Sequence, residues 1–175
     1  MRKIVLGFGL IAGAVMSGML VLAMPFHDQL GGGAGMAVGY ASMVLASLMI
    51  YFGIRRYRDN ECGGEIRFWR AVQVGALISV IAVLCYVLTW EVVFNFWVPD
   101  YGDKYMAEML ERARAAGATA AELATQAAEQ AKFWDSYKHN ALVRMAFTAL
   151  EPLPVVLLFT FASAGVLRTR GKASA

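Results

Sequence analysis

Apolar positions in this chain come in long blocks, and charged positions fall between them. Four apolar stretches run roughly over residues 4–24, 36–54, 71–98 and 142–167. Each holds about 19 residues or more, and a helix of about 20 residues crosses a hydrocarbon core about 30 Å thick. The pattern predicts an all-α fold: a polytopic membrane protein with four transmembrane helices, forming a single membrane domain over 1–175. One long connection, 99–141, is polar enough to stand outside the bilayer, and it is predicted to be an extracytoplasmic helical hairpin between helices 3 and 4. Gly117 is a helix stop, and Thr119 followed by Glu122 matches a capping box, in which hydroxyl and carboxylate satisfy free N–H groups at a helix start. The hairpin is therefore expected over about 100–116 and 120–138. Ala124, Ala127, Ala128 and Ala131 form a small-residue stripe for close helix approach, facing an apolar stripe of Met106, Met109, Leu110 and Ala113. Such a hairpin reads either as a rigid spacer or as a partner-docking surface.

Composition strengthens the membrane assignment. The chain is 59% hydrophobic, with mean hydropathy +0.53, where a soluble domain is about 45–50% apolar. The net charge of +3 does not point to nucleic acid, because no basic face is interleaved with aromatics. It fits the excess of Lys and Arg on cytoplasmic loops. Arg2 and Lys3, then Arg55, Arg56, Arg58, Arg67 and Arg70, then Arg168, Arg170 and Lys172 all fall on one side. The remaining cations lie in or near the long third connection, among acids. Both termini are thus expected in the cytoplasm, with the long connection in the periplasm of a Gram-negative bacterium. Tyr57 and Trp69 suit the inner aromatic belt, and Trp90, Trp97 and Tyr101 the outer one. The first span is too long for a signal-peptide core and Val21-Leu22-Ala23 is a poor cleavage site, so an uncleaved helix is expected. Cys85 lies mid-span and Cys62 in a cytoplasmic loop, which argues against a disulfide on depth and compartment.

Small residues recur at helical spacing in three places: Gly9, Gly13 and Ser17; Gly35, Gly39, Ser42 and Ala46; Ala71, Gly75 and Ser79. In lipid, close van der Waals contact at such residues carries helix association. Internal packing is the expected use, with a homo-oligomer or membrane-protein seam as the alternative. The run Gly31-Gly32-Gly33-Ala34-Gly35 lacks the Lys-Ser/Thr of a phosphate loop and is expected to be a flexible turn.

Glu91 and Glu151 are the acids inside the apolar blocks. Ionisable residues there usually face a bundle or cavity. Glu91 lies about 30 Å of helix past Ala71, and Glu151 about 25 Å before Arg168, so both belong near the outer boundary. Arg144, Thr148 and Glu151 share one helical face; Glu91 and Asn95 share another. A polar cluster of Glu91, Asn95, Arg144, Thr148 and Glu151 is therefore expected, either as a buried ion-pair clasp or as a proton or cation site opening outward. Glu151-Pro152-Leu153-Pro154 predicts a helix break, because Pro152 removes an N–H and disfavours helix at the preceding residue. His27, Asp28 and His139 read as solvated loop residues. No metal, cofactor or catalytic residue is predicted, and HExxH-type spacing is absent.

Gly39-Tyr40-Ala41-Ser42-Met43, Gly53-Ile54-Arg55-Arg56-Tyr57-Arg58-Asp59, Trp90-Glu91 and Glu151-Pro152-Leu153-Pro154-Val155 together resemble a bacterial membrane family known only as domain of unknown function 4199. The likeness runs over nearly the whole chain. It implies a small polytopic protein of the bacterial inner membrane and supplies no activity to carry over. The functional expectation is a non-enzymatic scaffold or envelope-associated accessory component. The alternatives are a small proton- or ion-coupled transporter or channel subunit using the Glu/Arg cluster, and a membrane enzyme acting on a lipid or envelope precursor.

Overall fold

The structure, a computed structural model, describes residues 1–98 and 100–169, and the side chains of all of these except 26–34 and 36. Among the described residues there are seven α-helices and no strand. They are α1 (Arg2–Ala23), α2 (His27–Glu61), α3 (Phe68–Phe96), α4 (Tyr101–Ala115), α5 (Ala120–His139), α6 (Ala141–Leu150) and α7 (Leu153–Leu167), with a 3-10 turn at Met24–Phe26 between the first two. Three segments are long and apolar enough to cross a membrane: α1, Ala37–Glu61 of α2, and α3. A fourth crossing exists only if α6 and α7 count as one span, bent by 43° at their break. Three to four such helices are the make-up of a multi-pass membrane protein.

One local expectation needs correction. The glycine run at 31–35 is helical, inside α2, and not a flexible turn. Chain reversal is confined to the 3-10 turn around Pro25. Each glycine costs a helix about 1 kcal/mol relative to alanine, but extending a nucleated helix adds a hydrogen bond per residue. The fourth apolar block, expected to break at Glu151-Pro152-Leu153-Pro154, is two helices, α6 and α7. The ladder stops at Glu151–Pro152 and resumes when Val156 N–H donates to the Pro152 carbonyl at 3.0 Å. The side chains of His27 and Asp28 lie outside the described residues.

The chain divides into two compact units: Met1–Thr89 with the segment from Ala149 onward, and Trp90–Thr148. In the first unit α2 packs on α1 and α7. Val5, Ile50, Ile54, Val74, Ile78, Val156 and Ala164 form one buried cluster, and Ala12, Met16, Met43, Ala82 and Tyr86 form another. The α1 glycines let it lie directly on α3. A Cβ at Gly9 would come within 2.8 Å of Ile81 Cβ, and one at Gly13 within 2.6 Å of Cys85 Cβ. Gly75 of α3 is also close to Ile54 and Thr160, at 3.0 Å. Gly35 and Gly39 differ: among the described residues no atom of a neighbouring element comes within 4 Å of the corresponding position.

Polarity in this unit is the reverse of a water-soluble fold. Ser42, Ser47, Ser79, Thr160 and Ser163 are buried, whereas Leu6, Leu10, Leu45, Leu84, Leu158 and Val166 point outward. Soluble proteins seldom expose contiguous apolar surface on this scale. Ser79 donates to the Gly75 carbonyl at 2.9 Å and meets Thr160 Oγ1 at 3.3 Å, linking α3 to α7. At one end the loop before α3 is tied to the exit of α7. Ile66 N–H donates to Thr169 Oγ1 at 2.8 Å, and Thr169 N–H returns to the Ile66 carbonyl at 3.0 Å.

Candidate functional site

The second unit contains the last turns of α3, the α4–α5 hairpin and most of α6. The hairpin turn is built from Gly117 at φ +91°, a left-handed position that favours glycine, followed by the capping box. Glu122 N–H donates to Thr119 Oγ1 at 3.3 Å, and Thr119 N–H donates to Glu122 Oε2 at 2.8 Å. The Thr119 backbone N–H, with its hydroxyl, holds the Glu122 carboxyl below the usual carboxylate range.

The seam of this hairpin is not the expected alanine stripe. Leu123, Ala127, Gln130, Phe133, Trp134 and Tyr137 are the α5 positions that are half-buried or buried, whereas Ala124, Ala128 and Ala131 are exposed. Large rings gain far more from leaving water than methyl groups do, so Trp134 and Tyr137 set the rotation of α5. Gly102 makes room for them; a Cβ there would lie 2.7 Å from Trp134 Cε3. Trp134 packs edge-on against Tyr101, Tyr105 and Tyr137, with ring centroids 6.1, 5.8 and 5.0 Å away.

Arg144 lies beneath this aromatic layer. Asn140 starts α6 by accepting from Leu142 and Val143 N–H at 3.0 and 3.3 Å, which turns Arg144 and Thr148 inward. Arg144 Nε donates to Glu91 Oε1 at 2.8 Å and Nη2 to Oε2 at 2.6 Å, a bidentate pair. Nη1 donates to the Tyr137 and Lys138 carbonyls at 3.0 and 3.2 Å, closing the C-terminal end of α5. The guanidinium also lies over the Phe94 ring at 4.5 Å. The Arg144 side chain is 5% exposed and that of Glu91 13%. A hydroxyl chain runs alongside: Trp90 Nε1–H donates to Tyr137 OH at 2.7 Å, Tyr137 OH is 3.4 Å from Thr148 Oγ1, and Thr148 donates to the Arg144 carbonyl at 2.9 Å. Burial pushes the Tyr137 hydroxyl up from its ordinary value, against the opposing hydrogen bonds from Thr148 and Trp90.

Glu91, Arg144 and Thr148 are thus placed together. Asn95 is exposed and donates to the backbone carbonyl of Glu91 in its own helix at 2.7 Å. Glu151 belongs to the first unit, in the turn before α7, where its Oε2 accepts from Tyr86 OH at 2.9 Å. Pro152 is buried and opens α7; Pro154 is exposed within its first turn. His139 is exposed and sits 3.1 Å from Asp135. Among the described residues no group of three His, Cys, Asp or Glu could hold a metal ion, and Cys62 and Cys85 are free thiols.

Sequence reasoning missed Phe94 and Tyr137 as partners of Arg144, Trp90 as the partner of Tyr137, Asn140 as the cap of α6, and Tyr86 as the partner of Glu151. Asn140, immediately before an apolar run, carried a usable N-cap signal. The two tyrosines carried none, since their hydroxyls find partners through tertiary packing.

No curated protein and no solved structure matches the chain. A family model described as "protein of unknown function (DUF4199)" matches residues 7–169. That span takes in every α-helix but the first turns of α1, together with the Glu91–Arg144 pair and the Glu151–Pro152 break, and the chain belongs to this family.

Proposed function

We propose that this protein is a non-enzymatic scaffold or envelope-associated accessory component of the bacterial cytoplasmic membrane, with both termini cytoplasmic and the α4–α5 hairpin outside. The carrying observation is the closed state of the Glu91–Arg144 pair. Both carboxylate oxygens and four guanidinium N–H bonds are occupied, by each other and by the end of α5. A neutral, hydrogen-bonded pair of this kind fixes geometry and offers no vacant charge to a travelling ion. Its effect is to hold the last turns of α3, the end of α5 and the start of α6 together. Membrane placement draws support from α6, whose polar Arg144 and Thr148 are buried while Leu142, Phe147 and Leu150 point outward.

Two measurements test this. In intact cells an impermeant maleimide should leave native Cys62 unlabelled and should label Ala121→Cys in a Cys62→Ser background; the opposite pattern reverses the topology. In proteoliposomes the wild-type protein should carry no proton or cation flux. A flux that disappears in Glu91→Gln would replace the scaffold reading with ion-coupled transport.

A further inference from the structure

One end of the first unit concentrates positive charge. Val5, Tyr57, Ile66, Ala71 and Leu167 meet there in a single buried cluster, so the start of α1, the end of α2, the start of α3 and the end of α7 converge. Each of these ends contributes an exposed arginine: Arg2, Arg56, Arg67 and Arg168. The acids at this end are Asp59, Glu61 and Glu65. Asp59 is already engaged by Arg58 at 2.7 Å and Arg55 at 3.7 Å. Arg70 is held in place by the Tyr57 hydroxyl at 3.0 Å and by Gln73 at 2.7 Å. Between Arg67 and Arg70 stands Trp69, 73% exposed, its ring edge-on to Phe68 at 5.2 Å. A soluble fold would bury this indole. At a bilayer surface an amphipathic ring is stable at headgroup level.

We infer that this end of the protein is a binding surface for anionic phospholipid headgroups, with the Arg56 and Arg67 guanidiniums contacting phosphodiester oxygens and Trp69 seated among the headgroups. The inference rests on the membrane placement proposed above and adds a lipid preference to it. Guanidinium matches a phosphodiester with paired N–H donors, and a basic side chain at an anionic leaflet contributes about a fivefold preference. Three acids, two of them already engaged, Asp59 by Arg58 and Glu61 by the Met1 ammonium at 2.9 Å, cannot neutralise cations arriving from four helix ends.

The test uses the full chain in phosphatidylcholine vesicles containing either brominated phosphatidylglycerol or brominated phosphatidylcholine at equal mole fraction. Trp69 emission is read as the difference between wild type and Trp69→Phe. The brominated anionic lipid should quench about twofold more or better. High salt should shrink that excess, and Arg56→Gln/Arg67→Gln should bring the two lipids to parity. Arg56→Lys/Arg67→Lys should keep most of the excess, which separates charge loss from misfolding. Equal quenching by both lipids in wild type overturns the headgroup surface and leaves the membrane placement standing. Quenching by neither overturns the placement itself. An anionic preference that survives in Arg56→Gln/Arg67→Gln overturns the assignment to these arginines. Release of the preference by a soluble acidic peptide would reassign the surface to a protein partner.

Discussion

Arg144 grips Glu91 side-on, with Nε and Nη2 each donating to a separate carboxylate oxygen at 2.8 and 2.6 Å. Its third nitrogen closes two carbonyls at the end of α5. One side chain on α6 therefore fixes a helix it does not follow in sequence and caps the helix it does. Arg144→Ala strands the Glu91 carboxylate and frees two carbonyls at the end of α5, and should destabilise the protein by about 3–5 kcal/mol. Arg144→Lys keeps the charge, loses the planar fork, and should cost about 1–3 kcal/mol. Glu91→Leu/Arg144→Met should cost less than the sum of its single changes, because neither partner is left alone. Denaturation in detergent, followed by tryptophan fluorescence, reads all three. Strict additivity would mean that the pair is not a coupled clasp.

The hairpin makes a second contrast. A methyl group at Gly102 would meet the Trp134 ring at 2.7 Å, so α4 and α5 would have to move apart there. Gly102→Ala should cost about 1–3 kcal/mol through overpacking. Ala128→Ser, on the exposed face of α5, should stay within about 0.5 kcal/mol. Amide hydrogen exchange across residues 101–139 would show whether the loss is local. A neutral Gly102→Ala would mean that α4 and α5 are not seated on Trp134.

The two titrating groups of this unit act at opposite ends of the pH scale. Tyr137 is raised by burial, so its neutral form is favoured by folding. That contribution is complete below the ordinary tyrosine value of about 10 and is lost as pH rises through the folded-state value. Glu122 is lowered by its bonds to Thr119. Its contribution is present above the ordinary value of about 4.3 and is lost as pH falls through the folded-state value. Alkaline unfolding should be less steep in Tyr137→Phe, and acid fraying at the start of α5 should flatten in Glu122→Gln. Circular dichroism against pH measures the first, and backbone NMR of Leu123 and Ala124 the second. Indifference of both variants to pH would remove these groups from the account.

What could be read from the residues divides along physical lines. Segment length and polarity are local properties, so the helical class, the apolar spans and the Thr119–Glu122 cap were legible. The Glu91–Arg144 geometry was approachable because helical spacing fixes which residues share a face. The rotation of α5 was not, because alanine spacing describes what may approach and says nothing of what gains most from burial. Trp134 and Tyr137 decided that. The glycine run misled because its local turn preference is small beside the hydrogen bond gained at each residue as a nucleated helix extends. The partner of Glu151 depended on which face of α3 meets α7, a tertiary fact with no trace in the spacing of either helix.

The glycine stripes give the last prediction, since they could serve packing within one chain or between two. Gly13 faces Cys85 so closely that an added Cβ would lie 2.6 Å from Cys85 Cβ, with the Ala82 backbone behind it at 3.5 Å. Gly13→Ala should therefore destabilise the first unit by about 1–3 kcal/mol. Cys85→Gly in the same chain should recover part of that loss, because it removes the atom the new methyl group meets. Gly39 has open space at the same position, so Gly39→Ala should be neutral or slightly stabilising within one chain, where alanine is the better helix former. Thermal unfolding in detergent distinguishes these, with oligomeric state followed by light scattering. If Gly39→Ala instead lowers the oligomer mass while Gly13→Ala changes nothing, the functional small-residue seam lies between copies, and the packing of α1 on α3 is not what these glycines serve.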